Sequence, residues 1–258
     1  MFRPVAIDLY VVHGSHPCAA VERALELKGL AFRRIELPPP LQAPVQKVLF
    51  GARTVPAMRL DDGEKVSGSM AIMRRLESLA PTPPLWPAEE RPRALVERAE
   101  EWGDEVWQAV ARRLLWGAIR RRPAALVSYA RGSRLPLPAP AIRAAAAAIV
   151  AGERRLNKVT DGAVRADLRT LPRHLDRIDG WLADGVLGGR TPNAADLQIA
   201  ASSRLMLTIG DVVPFFAGRP AESHARQYFA PQAGETPQGL FPMNWLAGSP
   251  PTPASPQR

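Results

Sequence analysis

Residues 5–29 read VAIDLYVVHGSHPCAAVERALELKG. Ala6 to Val12 is apolar and rich in β-branched residues, the mark of a buried strand. Gly14–Ser15–His16–Pro17 is a turn, and Pro17 suits the first turn of a helix because it lacks an N–H that would be unpaired there. Val21, Ala24, Leu25 and Lys28 follow at helical spacing, and Gly29 supplies a C-terminal stop. This strand–turn–helix unit sets the frame for the next fifty residues. Phe32 to Leu37 alternates as a second strand and ends in three prolines. Gln42 to Leu49 is a weak helix. Ala57 to Leu60, the Asp61–Asp62–Gly63 turn and Lys65 to Ser67 form a hairpin. Ser69 can cap a helix running to about Leu79. The order is β-α-β-α-β-β-α.

Pro81 to Pro87 is a proline-rich linker, and beyond it the strand signals vanish. From Pro92 to Ile119, apolar residues at 95, 99, 102, 106, 110 and 114 keep a period near 3.6, which predicts one long amphipathic helix. Pro136 to Pro140 breaks the chain. Ala141 to Asn157 is helical, a further helix opens at Pro172, and Asn193 to Leu207 is another. Asn193 and Asp196 form a capping-box-like pair at its start. From about Ala230 the chain is rich in Pro, Gly and Ser, and Gly248 to Arg258 reads as disordered. The expected plan is α+β: residues 1–80 a mixed domain, 81–89 a linker, 90–230 an all-helical domain and 231–258 a tail.

The 258 residues carry a formal charge of +9, and 46% are hydrophobic. No apolar run approaches the roughly 20 residues of a membrane helix, and nothing resembles a signal peptide, so the expectation is a cytoplasmic protein without a membrane partner. The lone Cys18 and four scattered histidines form neither an internal disulfide nor a metal-ligand set, so no metal is expected. Lysine occurs only at 28, 47, 65 and 158, so thirty of the 34 basic residues are arginine. Arginine, alanine, glycine and proline share GC-rich codons. A high-GC bacterial genome therefore accounts for the charge, and no specific nucleic-acid partner is expected.

Four motifs occur in order: Ser15-His-Pro-Cys18 with Val21, Ala24-Leu25 and Lys28-Gly29; Thr54-Val55-Pro56-Ala57; Ser67-Gly68-Ser69-Met70-Ala71-Ile72; and Asn193-Ala-Ala-Asp196-Leu. Together they resemble the glutathione S-transferase superfamily over about residues 5–230. The resemblance implies a thioredoxin-like N-terminal domain followed by a helical domain, a homodimer, and glutathione or a substitute thiol such as mycothiol as co-substrate. It places a catalytic Ser or Cys at Ser15 and a cis-proline at Pro56. Two positions depart from the pattern. Gly68 stands where the family usually has the acid that contacts the γ-glutamyl ammonium, and Thr54 stands where Lys or Gln is common.

A thiol transferase must hold a thiolate near neutral pH, although a free cysteine-type thiol titrates near about 8.5. A hydroxyl hydrogen bond to the sulfur and the positive end of a helix both favour the anion. Ser15, in the turn entering the first helix, can supply the first beside the second; it can equally be a plain N-cap. Cys18, three residues on, is either a low-pKa thiol or a small buried residue. The Val55 peptide groups beside Pro56 can pair with a ligand's peptide group. Ser69 at a helix start can donate to a carboxylate, and Arg53 can pair with a second one. His16 reads mainly as an exposed loop residue and secondarily as a proton-transfer group. Trp102 and Trp107 lie on the long helix that the resemblance sets facing the cleft; Trp102 follows the core period and reads as core before pocket. The expected function is thiol attack on an apolar electrophile held by the helical domain. The alternative is a non-catalytic binding or regulatory protein that kept the fold.

Overall fold

Alternation along β1 (Ile7–Val11) sorts its side chains between two faces. Ile7, Leu9 and Val11 enter the main apolar core, while Tyr10 joins Leu37 and Ala57 on the opposite side, as the two-residue period of a strand requires. The structure is a computed structural model that describes residues 6–135 and 137–246. β1 pairs parallel with β2 (Phe32–Glu36) and antiparallel with β3 (Ala57–Leu60), which pairs antiparallel with β4 (Lys65–Ser67). The sheet order is β2-β1-β3-β4. α1 (His16–Leu27) is the crossover that two parallel strands need. It packs with α3 (Ser69–Leu79) on one face. α2 (Pro39–Phe50) covers the other, where Val45, Leu49 and Phe50 surround Tyr10. α2 begins three residues earlier than its sequence signal, because prolines in a first turn forfeit no helical hydrogen bond. This is the thioredoxin-like domain that the resemblance implied.

The rest is mostly helical. α4 (Glu90–Trp102) passes through a π turn (Gly103–Trp107) into α5 (Gln108–Arg121), followed by α6 (Leu126–Tyr129), α7 (Ala139–Leu156), α8 (Asp161–Ala183), α9 (Ala194–Met206), α10 (Val213–Phe216) and α11 (Pro220–Tyr228). The sequence predicted an unbroken helix over 92–119. The π turn inserts one residue, so Trp107 takes the core position that the regular period assigns to Val106. Trp107 stacks on Trp102 at 5.5 Å between centroids, and both belong to the core. Pro172 lies inside α8 rather than opening it. Thr160 caps that helix by accepting the Ala163 N–H, and the buried stripe Val164, Leu168, Leu171, Leu175 and Ile178 spans the proline. Burial of the stripe outweighs the one helical bond that proline forfeits. Part of the Pro/Gly-rich tail is seated: the Asp211 carboxylate accepts the backbone N–H groups of Gly239, Leu240 and Phe241. The segment Gly248 to Arg258, expected to be disordered, lies outside the described residues.

All thirteen residues of α9 are buried, and α1, α4, α5 and α11 pack around it. A helix end inside a core must have its N–H groups satisfied by protein. Asn193 Oδ1 accepts the Asp196 N–H (2.9 Å), and the Asp196 carboxylate accepts the N–H groups of Asn193 (3.0 Å) and Gly188 (2.8 Å) and His224 Nε2–H (2.7 Å). At the junction between the two domains, fully buried Glu100 accepts Trp86 Nε1–H (3.1 Å) and pairs with Arg74 (2.9 Å), whose guanidinium lies 3.8 Å over the Trp86 ring. Burial pushes the Glu100 carboxyl up to about 7, against the pull of Arg74.

Asn193→Ala is expected to cost about 1 kcal/mol, the usual value of an N-cap. Asp196→Ala should cost more, because it frees three donors, one of them the buried His224 Nε2–H, whose loss of a partner alone costs roughly 1 to 3 kcal/mol. The midpoint of urea unfolding measures both, and an Asp196→Ala loss no larger than the Asn193→Ala loss contradicts the cap as drawn. Glu100 carries a pH signature. Its carboxyl titrates higher folded than unfolded, so its contribution is full below about pH 4.5 and is lost as pH rises through about 7. Glu100→Gln lacks that titration. The melting temperature of the variant relative to wild type should therefore climb between about pH 5 and pH 8, and a flat difference refutes the assignment.

Candidate functional site

Three segments meet at one end of the sheet. β1 and β3 are antiparallel, with Tyr10 opposite Ala57, so the turn leaving β1 lies beside the Val55–Pro56 approach to β3. Ser67 pairs opposite Ala57, and the Gly68 N–H donates to the Pro56 carbonyl (3.0 Å), which brings the start of α3 to the same place. The Val55–Pro56 bond is cis. Among the described residues, no group bonds the Val55 N–H or C=O. Arg53 is exposed on the same loop, and no described group pairs with it.

Ser15 is the N-cap residue of α1, yet its side chain makes no capping bond. The hydroxyl is half-buried at the helix N-terminus, within hydrogen-bonding reach of the Cys18 sulfur. Cys18 is 1% exposed, and burial pushes its thiol up to about 12, outweighing the hydrogen bond available from Ser15. The reading of Cys18 as a low-pKa nucleophile is corrected here: apolar surroundings penalise the thiolate more than the helix end favours it. A protonated thiol is only a weak acceptor, so a thiolate from another molecule competes well for the Ser15 hydrogen.

Ser69 is also corrected. It is the first residue of α3, not its cap, and its only hydrogen goes to Asp104 Oδ1 (3.0 Å) in the π turn. Gln108 Nε2 donates to the same Asp104 oxygen (3.0 Å) and to Gln198 Oε1 on α9 (2.8 Å). Ser69 thus ties the sheet domain to the helical one rather than offering its proton to a ligand. The π turn makes this possible. At Gly103 a Cβ would stand 3.0 Å from Ile199 Cγ1, so the glycine lets α4 press against α9. π turns of this kind recur at functional sites.

His16 is buried, not an exposed loop residue, at 3% exposure. Ser202 donates its proton to the Gln198 carbonyl (2.9 Å), so it must accept from His16 Nδ1–H (3.0 Å). That fixes the tautomer and leaves a lone pair on Nε2, which no described group bonds. Burial and then the charge of Arg112 hold the imidazole well below its ordinary pKa, so it is neutral. His13, on the other side of Ser15, donates Nε2–H to the Arg131 carbonyl (2.8 Å). His224, which showed no partner in the sequence, serves the α9 cap.

Sequence reading missed Asp104, Gln108 and Arg112. The signal was present: they recur every four residues, a polar ladder beside the apolar stripe of the long helix. They also change the character of the cleft. Trp102 and Trp107, the aromatic residues that would wall an apolar pocket, turn inward, and the long helix offers polar groups toward Ser69 and His16. Among the described residues, no group of three or more His, Cys, Asp or Glu could hold a metal, and no helix is long and apolar enough to cross a membrane.

Residues 9–84 match the family described as glutathione S-transferase, N-terminal domain. That stretch is a glutathione S-transferase N-terminal domain. Its fold is similar to that of a glutathione transferase from Populus trichocarpa, at a TM-score of 0.60 and 15% identity, covering 85% of this chain and 92% of that one. A glutathione S-transferase from Sinorhizobium meliloti gives 0.57 at 18% identity, covering 94% and 98%. A maleylacetoacetate isomerase from Anaeromyxobacter dehalogenans, with dicarboxyethyl glutathione and citrate in its active site, gives 0.53 at 20% identity, covering 97% and 100%. No curated protein matches the sequence. In this glutathione S-transferase fold the one cysteine is inert by position. Its thiol should resist 5,5′-dithiobis(2-nitrobenzoate) at pH 8 and react at once in denaturant. Rapid labelling of the folded protein contradicts the burial argument.

Proposed function

We propose that the protein is an enzyme that activates the thiol of glutathione for attack on an electrophile, acting as a homodimer. The observation that carries this reading is Ser15: a helix N-cap residue whose hydroxyl does no capping, at the positive end of α1. A hydroxyl donating to a sulfur there favours the thiolate by a hydrogen bond and by the helix dipole together. The unpaired Val55 N–H and C=O suit the peptide of a thiol such as glutathione, bound like one more short strand. Exposed Arg53 suits its carboxylate. Gly68 leaves no acid for the γ-glutamyl ammonium at the start of α3, but Asp104 reaches that point from the helical domain, held by Ser69 and Gln108. This supports glutathione over a thiol without an amino group. The electrophile was expected to be apolar; the polar ladder on α5 favours one with a polar part.

Ser15→Ala should lower kcat/KM for conjugation of glutathione with an activated aryl halide by about 10²-fold, the scale for losing one positioned donor at a developing anion. Cys18→Ala should retain the rate. The reverse pattern gives the role to Cys18. Thermal-shift screening with glutathione and mycothiol separates the two thiols, and a folded protein that binds neither favours the non-catalytic reading.

A further inference from the structure

Arg112 lies on α5 one turn beyond Gln108, and its Nη1 donates to Gln108 Oε1 (3.0 Å). Its other N–H groups have no described partner, and none is sealed from solvent. Several other partly buried arginines are capped by acids. Arg113 forks onto Asp167, Arg34 bonds Glu22 and Glu36, and Arg219 bonds Asp176 and Asp179. Arg112 has no carboxylate within ion-pair distance among the described residues. Asp104 and Glu153 influence its charge from further away. Both are otherwise engaged, Asp104 with Ser69 and Gln108, and Glu153 with Gln42 and Asn157. Arg112 in turn acts on the imidazole of His16, the residue next to Ser15. Hydrogen bonds from Arg112 to Gln108, Gln108 to Gln198, Ser202 to the Gln198 carbonyl and His16 to Ser202 tie the guanidinium to the thiol-activating turn, and its fork is unfilled.

A planar guanidinium fork matches a carboxylate with two parallel hydrogen bonds. His16 stays neutral, so Arg112 is the uncapped cation of this hydrogen-bonded chain, while Arg53 on the Val55 loop is left to the carboxylate of the thiol. We propose that Arg112 anchors a carboxylate of the second substrate, so that the electrophile attacked at Ser15 is an organic acid. The inference rests on the thiol-transferase reading above, and the test separates the two.

The probes are 4-chloro-3-nitrobenzoate and its neutral counterpart 4-chloro-3-nitrobenzamide, each with glutathione and the full chain. The thiolate attacks C4, a C–S bond forms, the C–Cl bond breaks with chloride taking the pair, and the thiol proton goes to solvent. Each kcat/KM is divided by the uncatalysed rate constant, and the acid-to-amide ratio is the readout. Wild type should favour the acid by about 10- to 100-fold, the range of a charge-assisted hydrogen bond. Arg112→Gln should bring the ratio close to one, and Arg112→Lys, which keeps charge but not the fork, should leave an intermediate value. A wild-type ratio near one, or a ratio unchanged in Arg112→Gln, overturns the proposal. If neither probe is turned over, the transferase reading fails, and calorimetric binding decides the anchor. Benzoate binding that exceeds benzamide binding and is lost in Arg112→Gln upholds it. Absent or equal binding overturns it.

Discussion

The Asp196 carboxylate is the contact on which the rest of the molecule turns. A fully buried helix cannot leave its first N–H groups to water, and one side chain, with Asn193, satisfies the start of α9 while collecting His224 from α11 and Gly188 from the preceding loop. Its position fixes α9, and α9 fixes the site. Gln198 receives Gln108, Ser202 receives His16, and Ser203 receives Trp107 Nε1–H (3.0 Å). Each helical turn after the cap thus carries a polar group that orients a residue of α1, the π turn or α5. Satisfied buried networks of this kind specify one arrangement, because any slip orphans several groups together.

The π turn is the second constraint. It rotates the helix by one residue, which seats Trp107 in the core and turns Asp104 and Gln108 toward Ser69. The two domains therefore meet through a polar link at the start of α3, besides the Glu100–Trp86–Arg74 contact at the linker. The first link consumes the Ser69 proton and brings a carboxylate to a place where the local sequence has only Gly68. An acid absent from the sheet domain is supplied by the helical one.

The sheet domain was legible because its signals are local. Alternation in residues 7–11, the turn at 14–17 and the hairpin at 57–67 each follow from neighbours in the chain. The capping box was legible for the same reason. What escaped the sequence depended on distant partners. Nothing beside His16 announces that Ser202, 186 residues away, will bury it. A regular period over 92–119 contains no mark of an inserted residue, and the close packing of Ile199 against Gly103 involves a partner 96 residues away. Pro172 reads as a helix start until the apolar stripe on both sides of it is counted. At the candidate site the β1–β3 pairing sets the Ser15 turn beside Val55 and Pro56, whereas burial claims Cys18 and Asp104 of the helical region claims the Ser69 hydrogen.

That division bears on how the site handles charge. Cys18 sits one turn into α1, where the helix dipole favours an anion, yet it stays protonated because desolvation is the larger effect. His16 stays neutral for the same reason, reinforced by Arg112. Two groups that could have ionised beside Ser15 are held uncharged. On the proposed reading, a thiolate at Ser15 then meets neither a Cys18 thiolate nor a charged His16. The buried groups least equipped for chemistry keep the turn free of charges that would compete there.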